Sequence, residues 1–423
     1  PKPASAIPLR LVGSEMCIRD SANDDAFYIR SNLEAPNYKI YKSTDINSLD
    51  KSLEVLVPHN KDIFISDHLI FDDYLVLEIR ENGLPGIQKI NLLSKNATSL
   101  TFNEESYYVS LGYNYDVNNK ELFYGYSSPT QPYSIYSQNL LSDETTMLWN
   151  KEIINYDPEI YTTKRKFIEA RDGTLIPVTI THRKNIDLKN SPILFYGYGS
   201  YGINTEAYFR SSIIPLLNRN FIHVLVNIRG GGEMGKHWYE QGRMLNKLNT
   251  FHDFNDAVKA LLDMGIGNKN KVFAQGGSAG GLLMGAIINF EPDLYKGILS
   301  GVPFVDVLTT MSDASIPLTT FEWDEWGNPE NKDEYMYMKQ YSPYDNIGAL
   351  NYPAVFITSS LFDSQVQYYE PAKYTPKLRE YSTSDNPILL KMNLIGGHGG
   401  KSGRLNQMEE TAEEYGFLLN LLD

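Results

Sequence analysis

Residues 271–290 read KVFAQGGSAGGLLMGAIINF: a short apolar run, a glycine cluster around Ser278, then a longer apolar run. A glycine-rich turn after a strand either cradles a phosphate or clears space around a nucleophile. Gly276-Gly277-Ser278-Ala279-Gly280 fits G-x-S-x-G between a strand and a helix, the context of a nucleophile elbow. Bulkier neighbours would clash in the strained turn that presents such a serine. The N–H of Ala279 lies at the helix N-terminus, where it can face a developing oxyanion. Two further turns, GYGSYG at 197–202 and GGGEMG at 230–235, match G-x-G-x-x-G. That pattern holds a dinucleotide only when it opens a helix facing the pyrophosphate. INTEAYF and KHWYEQGR follow instead, and neither begins an amphipathic helix. On the motif alone, the bland alternative is a glycine turn with an incidental serine.

A serine hydroxyl needs a base. In this architecture the partners follow in the order Ser, Asp or Glu, His, each on a loop after a later strand. His398 is the sole histidine C-terminal to Ser278 and sits in IGGHGG, just past the strand-like ILLKMNL. Asp363, in LFDSQV after the strand-like AVFITSS, is the best-placed carboxylate. Its task is to hold the imidazole tautomer and stabilise the imidazolium. Asp306, Asp313 and Asp324 follow no strong strand. The constellation is an acyl-transfer triad. It calls for no cofactor and no metal, since no His/Cys/carboxylate cluster has ligand spacing.

Working outward, PILFYGY, FIHVLVNI, KVFAQ, GILSGV, AVFITSS and ILLKMNL read as buried strands. Helical stretches such as 254–264 alternate with them, with Asp253 as the expected cap. This alternation predicts an α/β fold, a mostly parallel sheet with helices on both faces. A hairpin turning at Asp172-Gly173 precedes it. Residues 22–158 read differently: short strands with hairpin signals at Asn82-Gly83 and Asn118-Asn119 and no helical period. Such a pattern suits a sandwich, a barrel or propeller blades. The expected organisation is 1–21 as a foreign or disordered segment, 22–158 as a β-domain, and 159–423 as the α/β domain.

A chain of 423 residues, 42% hydrophobic and 21% charged, exceeds one ordinary core. Its net charge of −14 disfavours nucleic-acid partners. No stretch approaches the ~20 apolar residues of a membrane span. Cys17 is the single cysteine, so no disulfide framework exists, which points to a reducing, cytoplasmic compartment.

The stretches YGYGSYG, RGGGEMGKHWYEQGR, GGSAGGLLMGA, PFVDVLTTM, SIPLTTFEWDEWGNP, SPYDNI, DSQVQYYEPAK and GGHGGKSGR resemble the prolyl oligopeptidase family, and within it the oligopeptidase B branch. The resemblance implies a serine peptidase whose α/β-hydrolase domain sits beside a seven-bladed β-propeller that admits short peptides. It gives Ser278, Asp363 and His398 the roles derived above and adds the Tyr198 hydroxyl as a second oxyanion donor beside the Ala279 N–H. It also implies cleavage after Arg or Lys, with pocket carboxylates at Glu322 and Asp324; the aspartate is a shorter acid than the glutamate usual there. The branch's second acidic pair falls at Glu206 and Tyr208, with one carboxylate kept, which weakens a dibasic preference. Residues 22–155 supply roughly two to three blades at roughly 40–50 residues each, so the chain reads as the C-terminal part of a longer protein. Competing readings are an acylaminoacyl peptidase or esterase of the same fold, and an inactive propeller-containing fragment.

Overall fold

Asn82-Gly83 does turn a hairpin. Both residues take positive φ, 52° and 77°, the requirement of a type I′ turn. The turn joins strands Tyr74–Glu81 and Leu84–Asn91 in full register. The computed structural model describes residues 18–22, 26–45, 52–116 and 118–423. The chain divides into two compact units. The first runs to Tyr156 and takes in Glu206–Phe209 and Glu233–His237; the second holds the remainder.

The first unit, among its described residues, consists of three four-stranded antiparallel sheets. Strands β1 (Ile18–Ala22), β2 (Phe27–Ser31), β3 (Lys39–Ser43) and β4 (Glu54–Val57) form one sheet. A second comprises β5 (Ile63–Ile70), β6 (Tyr74–Glu81), β7 (Leu84–Asn91) and β8 (Ala97–Ser99). The third comprises β9 (Tyr108–Leu111), β10 (Glu121–Ser127), β11 (Ser134–Asn139) and β12 (Thr145–Asn150). Each is an up-and-down meander, the form of a propeller blade. Strand β6 shows why YLVLEIR reads as a continuous apolar run. Leu75, Leu77 and Ile79 pack into a core with Tyr28 and Ile40 of the first sheet. Val76 packs into another core with Val109, Leu122 and Tyr124 of the third. Successive side chains point to opposite faces, and here both faces are covered by neighbouring sheets.

The expected foreign segment 1–21 falls outside the described residues as far as residue 17. From residue 18 the segment is described, and Ile18–Ala22 pairs antiparallel with β2 along its whole length. A backbone ladder holds this strand, which an apolar-pattern reading cannot detect.

The second unit is built on an eight-stranded sheet. Its strands are β13 (Tyr161–Glu169), β14 (Leu175–Arg183), β15 (Ile193–Tyr196), β16 (Ile222–Val226), β17 (Val272–Gly277), β18 (Gly297–Gly301), β19 (Ala354–Ser360) and β20 (Ile388–Asn393). The order is β13-β14-β16-β15-β17-β18-β19-β20. Strands β13 and β14 form the antiparallel hairpin at Asp172-Gly173, and every pairing from β16 to β20 is parallel. Five helices matter below: α1 (Leu248–Asp263), α2 (Ala279–Phe290), α3 (Thr319–Trp326), α4 (Tyr369–Tyr381) and α5 (Arg404–Asn420). Among the described residues none is long and apolar enough to cross a membrane.

Asp253 is not a helix cap. Helix α1 begins earlier, at Leu248, so Asp253 lies inside it and is fully buried. There it accepts from Arg229 Nε at 2.8 Å and from the Arg229 backbone N–H at 3.1 Å. A buried carboxylate this deep must be paired, and its partner lies in the GGGEMG turn region.

Candidate active site

Open parallel sheets offer their sites at the carboxyl ends of the strands. Ser278 follows β17, Asp363 follows β19 and His398 follows β20. Ser278 caps α2 with φ 58° and ψ −119°, a conformation costly for any residue with a Cβ. The surrounding backbone holds it there. Its N–H donates to Gly301 O at 2.8 Å, and its carbonyl accepts from Gly281 N at 2.8 Å and Phe304 N at 3.2 Å. The flanking glycines have a steric reason: a Cβ on Gly276 would overlap Gly280 O, and one on Gly281 would overlap Pro303. Ala279 is the first residue of α2, so its N–H belongs to the turn of amides that lack an intrahelical acceptor.

The two G-x-G-x-x-G turns have a structural use. They interlock, with Gly202 N donating to Gly230 O at 3.0 Å, and a Cβ on Gly230 would collide with Gly199 O. The first turn thereby holds Tyr198 in the cleft that Ser278 lines. Burial pushes the Tyr198 phenol up to about 12, with Tyr196, Glu325 and Glu322 adding to the rise and the Ser278 hydroxyl opposing it. The phenol therefore stays protonated as a donor at neutral pH. Beneath this turn lies a residue that sequence reasoning missed: Lys247, fully buried, donates to Gly199 O and Ser200 Oγ at 2.7 Å each. Burial brings its amine down to about 8 against the pull of Glu325.

His398 Nδ1 lies 2.7 Å from Asp363 Oδ2, and Asp363 Oδ1 accepts from the N–H groups of Gln365 and Val366 at 2.9 Å each. Burial works to raise the Asp363 pKa. The bonds from His398, Val366 and Gln365 outweigh it and hold the carboxyl below its ordinary range. An ionised carboxylate only accepts, so Nδ1 carries the proton and Nε2 is free to act as base. Among the described residues no hydrogen bond yet joins Nε2 to Ser278 Oγ, a bond that commonly tightens only with substrate. Ser278 shares its cleft with Gln365 and Val366 of the Asp363 loop.

That cleft, about 240 Å³, is walled by Phe304, Met311, Leu318 and Trp326, and Glu322 lines it. Glu322 Oε2 accepts from Tyr201 Oη at 2.7 Å and Trp326 Nε1 at 2.9 Å. Among the described residues its Oε1 accepts no hydrogen bond. Asp324 does not join it. The two are two residues apart on α3, which places them on opposite faces of a helix. Asp324 is exposed, and its backbone carbonyl accepts from Arg243 at 2.9 Å. The expected carboxylate pair is corrected to one lining carboxylate. The second acid on that face is Glu325, three residues from Glu322 and buried. It is engaged by Tyr201 N at 3.0 Å, Tyr239 Oη at 2.7 Å and, at 3.9 Å, Lys247.

Glu206 is placed in the first unit and is ion-paired to Arg80 of β6. Burial pushes its carboxyl up, and Arg80 pulls against that rise. The expected open subsite carboxylate is thus already taken by a buried cation that needs a partner. Tyr208 meets Tyr108 edge to face.

Family models match twice. The prolyl oligopeptidase, N-terminal beta-propeller domain, matches residues 8–151, beginning inside the segment set aside above. The prolyl oligopeptidase family model matches residues 207–423. Dipeptidyl aminopeptidase BI of Pseudoxanthomonas mexicana is 43% identical over 401 residues, covering 94% of this chain and 55% of that protein. Protease 2 of Moraxella lacunata is 39% identical over 401 residues, covering 94% and 58%. Oligopeptidase B from Trypanosoma brucei, solved with covalently bound antipain, superposes with a TM-score of 0.89 at 36% identity, covering 96% of this chain and 59% of its own. The chain thus spans little more than half the length of these relatives. The three antiparallel meanders and the eight-stranded sheet with its serine elbow are a β-propeller domain followed by an α/β-hydrolase domain, and the chain belongs to the prolyl oligopeptidase family.

Proposed function

We propose that this chain carries the active site of a serine peptidase that cleaves short peptides after Arg or Lys through an acyl-enzyme. The observation that carries the reading is one cleft with a strained elbow serine at one end and a half-satisfied carboxylate, Glu322, between aromatic and aliphatic walls. In the first step His398 Nε2 takes the proton of Ser278 Oγ as the oxygen attacks the scissile carbonyl. The carbonyl oxygen, now an oxyanion, accepts hydrogen bonds from Ala279 N–H and Tyr198 Oη. Asp363 stabilises the imidazolium without taking its proton. His398 then protonates the leaving amine, and water repeats the sequence on the ester.

The specificity follows from the walls. Apolar surfaces cover the aliphatic stem of a basic side chain, and the free Oε1 of Glu322 receives its charged head. With one free carboxylate oxygen the pocket can accept a hydrogen bond from a guanidinium or an ammonium, so both Arg and Lys are taken. Asp324 and Glu206 have no part in this pocket. The name of the related dipeptidyl aminopeptidase BI denotes cleavage from a peptide's amino end, so the test must separate end-directed from internal cleavage. A cytoplasmic location fits the single cysteine.

The test is a panel of fluorogenic peptides with Arg, Lys, Leu or Pro before the scissile bond, each with a free and a blocked N-terminus. Hydrolysis of both Arg forms, exceeding Leu and Pro by tens-fold or more, is expected. Cleavage of the free forms alone would make the activity a dipeptidyl peptidase. Equal rates for Arg and Leu would remove Glu322 from the specificity role.

A further inference from the structure

His398 sits on a seven-residue span between the end of β20 and Lys401, rich in glycine. Gly400 N donates to Gly397 O at 3.0 Å and closes a tight turn around His398, but setting that glycine-rich turn against Asp363 takes contacts from outside it. Asn393, the last residue of β20, lies opposite Ser360, the last of β19. It touches both loops. Its Oδ1 accepts from the N–H groups of Ile395 and Gly396 at 3.1 and 3.0 Å, which fixes the start of the His398 loop. Its backbone carbonyl accepts from Leu361 N at 2.8 Å, at the start of the Asp363 loop. Phe362 N then donates to Gly396 O at 3.3 Å, tying the two loops together two residues from His398.

Glu410 of α5 closes this arrangement from the other side. Its Oε1 accepts from Asn393 Nδ2 at 3.2 Å and from Lys401 N at 3.3 Å. Its Oε2 lies where a Cβ on Gly400 would come within 2.6 Å. One carboxylate therefore grips the loop at both ends, through Asn393 before the histidine and Lys401 after it. Glu410 and Asn393 share a cavity with His398, on lining residues other than those of the Ser278 and Glu322 cleft.

We propose that Asn393 and Glu410 are positioning residues for His398: they set the imidazole on Asp363 and so determine the rate of acyl transfer without contacting substrate. The inference rests on the peptidase reading above for its kinetic consequence, but not for its structural one. Displacement of a reacting group by about 1 Å can cost on the order of 10²-fold in rate. Glu410→Ala removes both acceptor bonds, and Asn393→Leu removes the same joint from the other side. Glu410→Gln keeps an oxygen that can accept from Asn393 Nδ2 and Lys401 N.

Two readouts keep a positioning role apart from mere loss of fold. The first is a pre-steady-state burst with an arginyl active ester, in which the amplitude counts competent serines and the rate constant reports how well each is activated. Glu410→Ala and Asn393→Leu are expected to keep the amplitude and KM within about twofold, while the acylation rate constant falls roughly 10- to 100-fold. Glu410→Gln should stay within about threefold of the unaltered protein. The second is the downfield proton resonance of the His398 Nδ1–H bonded to Asp363, which needs no turnover. It should be sharp in the unaltered protein and in Glu410→Gln, and broadened or lost in the other two. An unchanged rate constant and resonance in Glu410→Ala would overturn the proposal, as would a loss confined to amplitude or a Glu410→Gln variant as impaired as Glu410→Ala. If the resonance responds as expected while no protein shows a burst, the positioning role stands and the peptidase reading fails.

Discussion

Ser278 and Glu322 line the same cleft, yet they are held in opposite ways. Around Ser278 the restraint is backbone against backbone: the Gly301 carbonyl, the Gly281 and Phe304 amides, and glycines whose missing Cβ atoms let the turn close. Around Glu322 the restraint is side chain against side chain, from Tyr201 and Trp326, on a helix whose rotation decides which acids face inward. Backbone restraint leaves a local mark in sequence because it demands glycine. Side-chain restraint leaves none, because acids with the same spacing in the chain face different ways on a helix and a strand.

The difference can be broken first at the serine. Ser278→Ala should lower kcat by on the order of six decades, and His398→Ala by nearly as much. Asp363→Asn should cost on the order of 10⁴ through the wrong tautomer. Peptide hydrolysis by the purified variants, compared with the unaltered protein, measures this. Gly276→Ala tests the backbone itself: its Cβ must displace the first turn of α2, and kcat should fall on the order of 10²-fold with Ser278 still present. A Gly276→Ala variant of full activity would show that the elbow tolerates what its geometry excludes.

The side-chain region should respond differently. On the Arg/Lys reading proposed above, Glu322→Gln would leave the substrate's charged head without its carboxylate, an expected loss of roughly 2–5 kcal/mol. In kcat/KM for Arg and Lys peptides that is tens- to thousands-fold, with neutral esters nearly unaffected. Asp324→Asn, on the outward face, should change neither by more than about twofold. If the two variants lose Arg selectivity equally, the helix presents both acids to substrate.

Much of this was legible beforehand. The strands of the parallel sheet fall where their apolar runs place them, Asn82-Gly83 turns its hairpin, and His398 meets Asp363 at 2.7 Å as strand-end loops require. What escaped is long-range or rotational. Asp253 resembles a cap until helix α1 is seen to start five residues earlier and Arg229, 24 residues away, claims it. Glu206 resembles a free acid until Arg80, 126 residues distant, is found on it. Lys247 carries no motif; it is recognisable only because its amine ends under the Tyr198 turn. Glu325 rather than Asp324 shares a face with Glu322, and only the helical rotation of α3 reveals it.

The smallest expected effect lies behind His398, at Glu414 of α5. Burial raises its carboxyl to about 7, with Glu410 and Glu413 adding to the rise. A folded pKa above the ordinary 4.5 means the unfolded chain releases this proton first as pH climbs. The contribution to stability is therefore complete below about 4.5 and lost as pH rises through about 7. Glu414→Gln cannot ionise, so its Tm should exceed that of the unaltered protein by ~2–4 °C at pH 8 and by much less at pH 5. Thermal unfolding at the two pH values measures it, and a Tm gain independent of pH would show that Glu414 is not the titrating group.

The most direct measurement is covalent. The protein is treated with an arginyl diphenyl phosphonate and with its leucyl analogue, and adducts are located and timed by peptide mass spectrometry. A single adduct on Ser278 is expected, forming tens-fold faster with the arginyl reagent and losing that advantage in Glu322→Gln while remaining on Ser278. An adduct elsewhere, none at all, or equal rates with the two reagents would contradict a backbone-built nucleophile served by a side-chain-built acidic pocket.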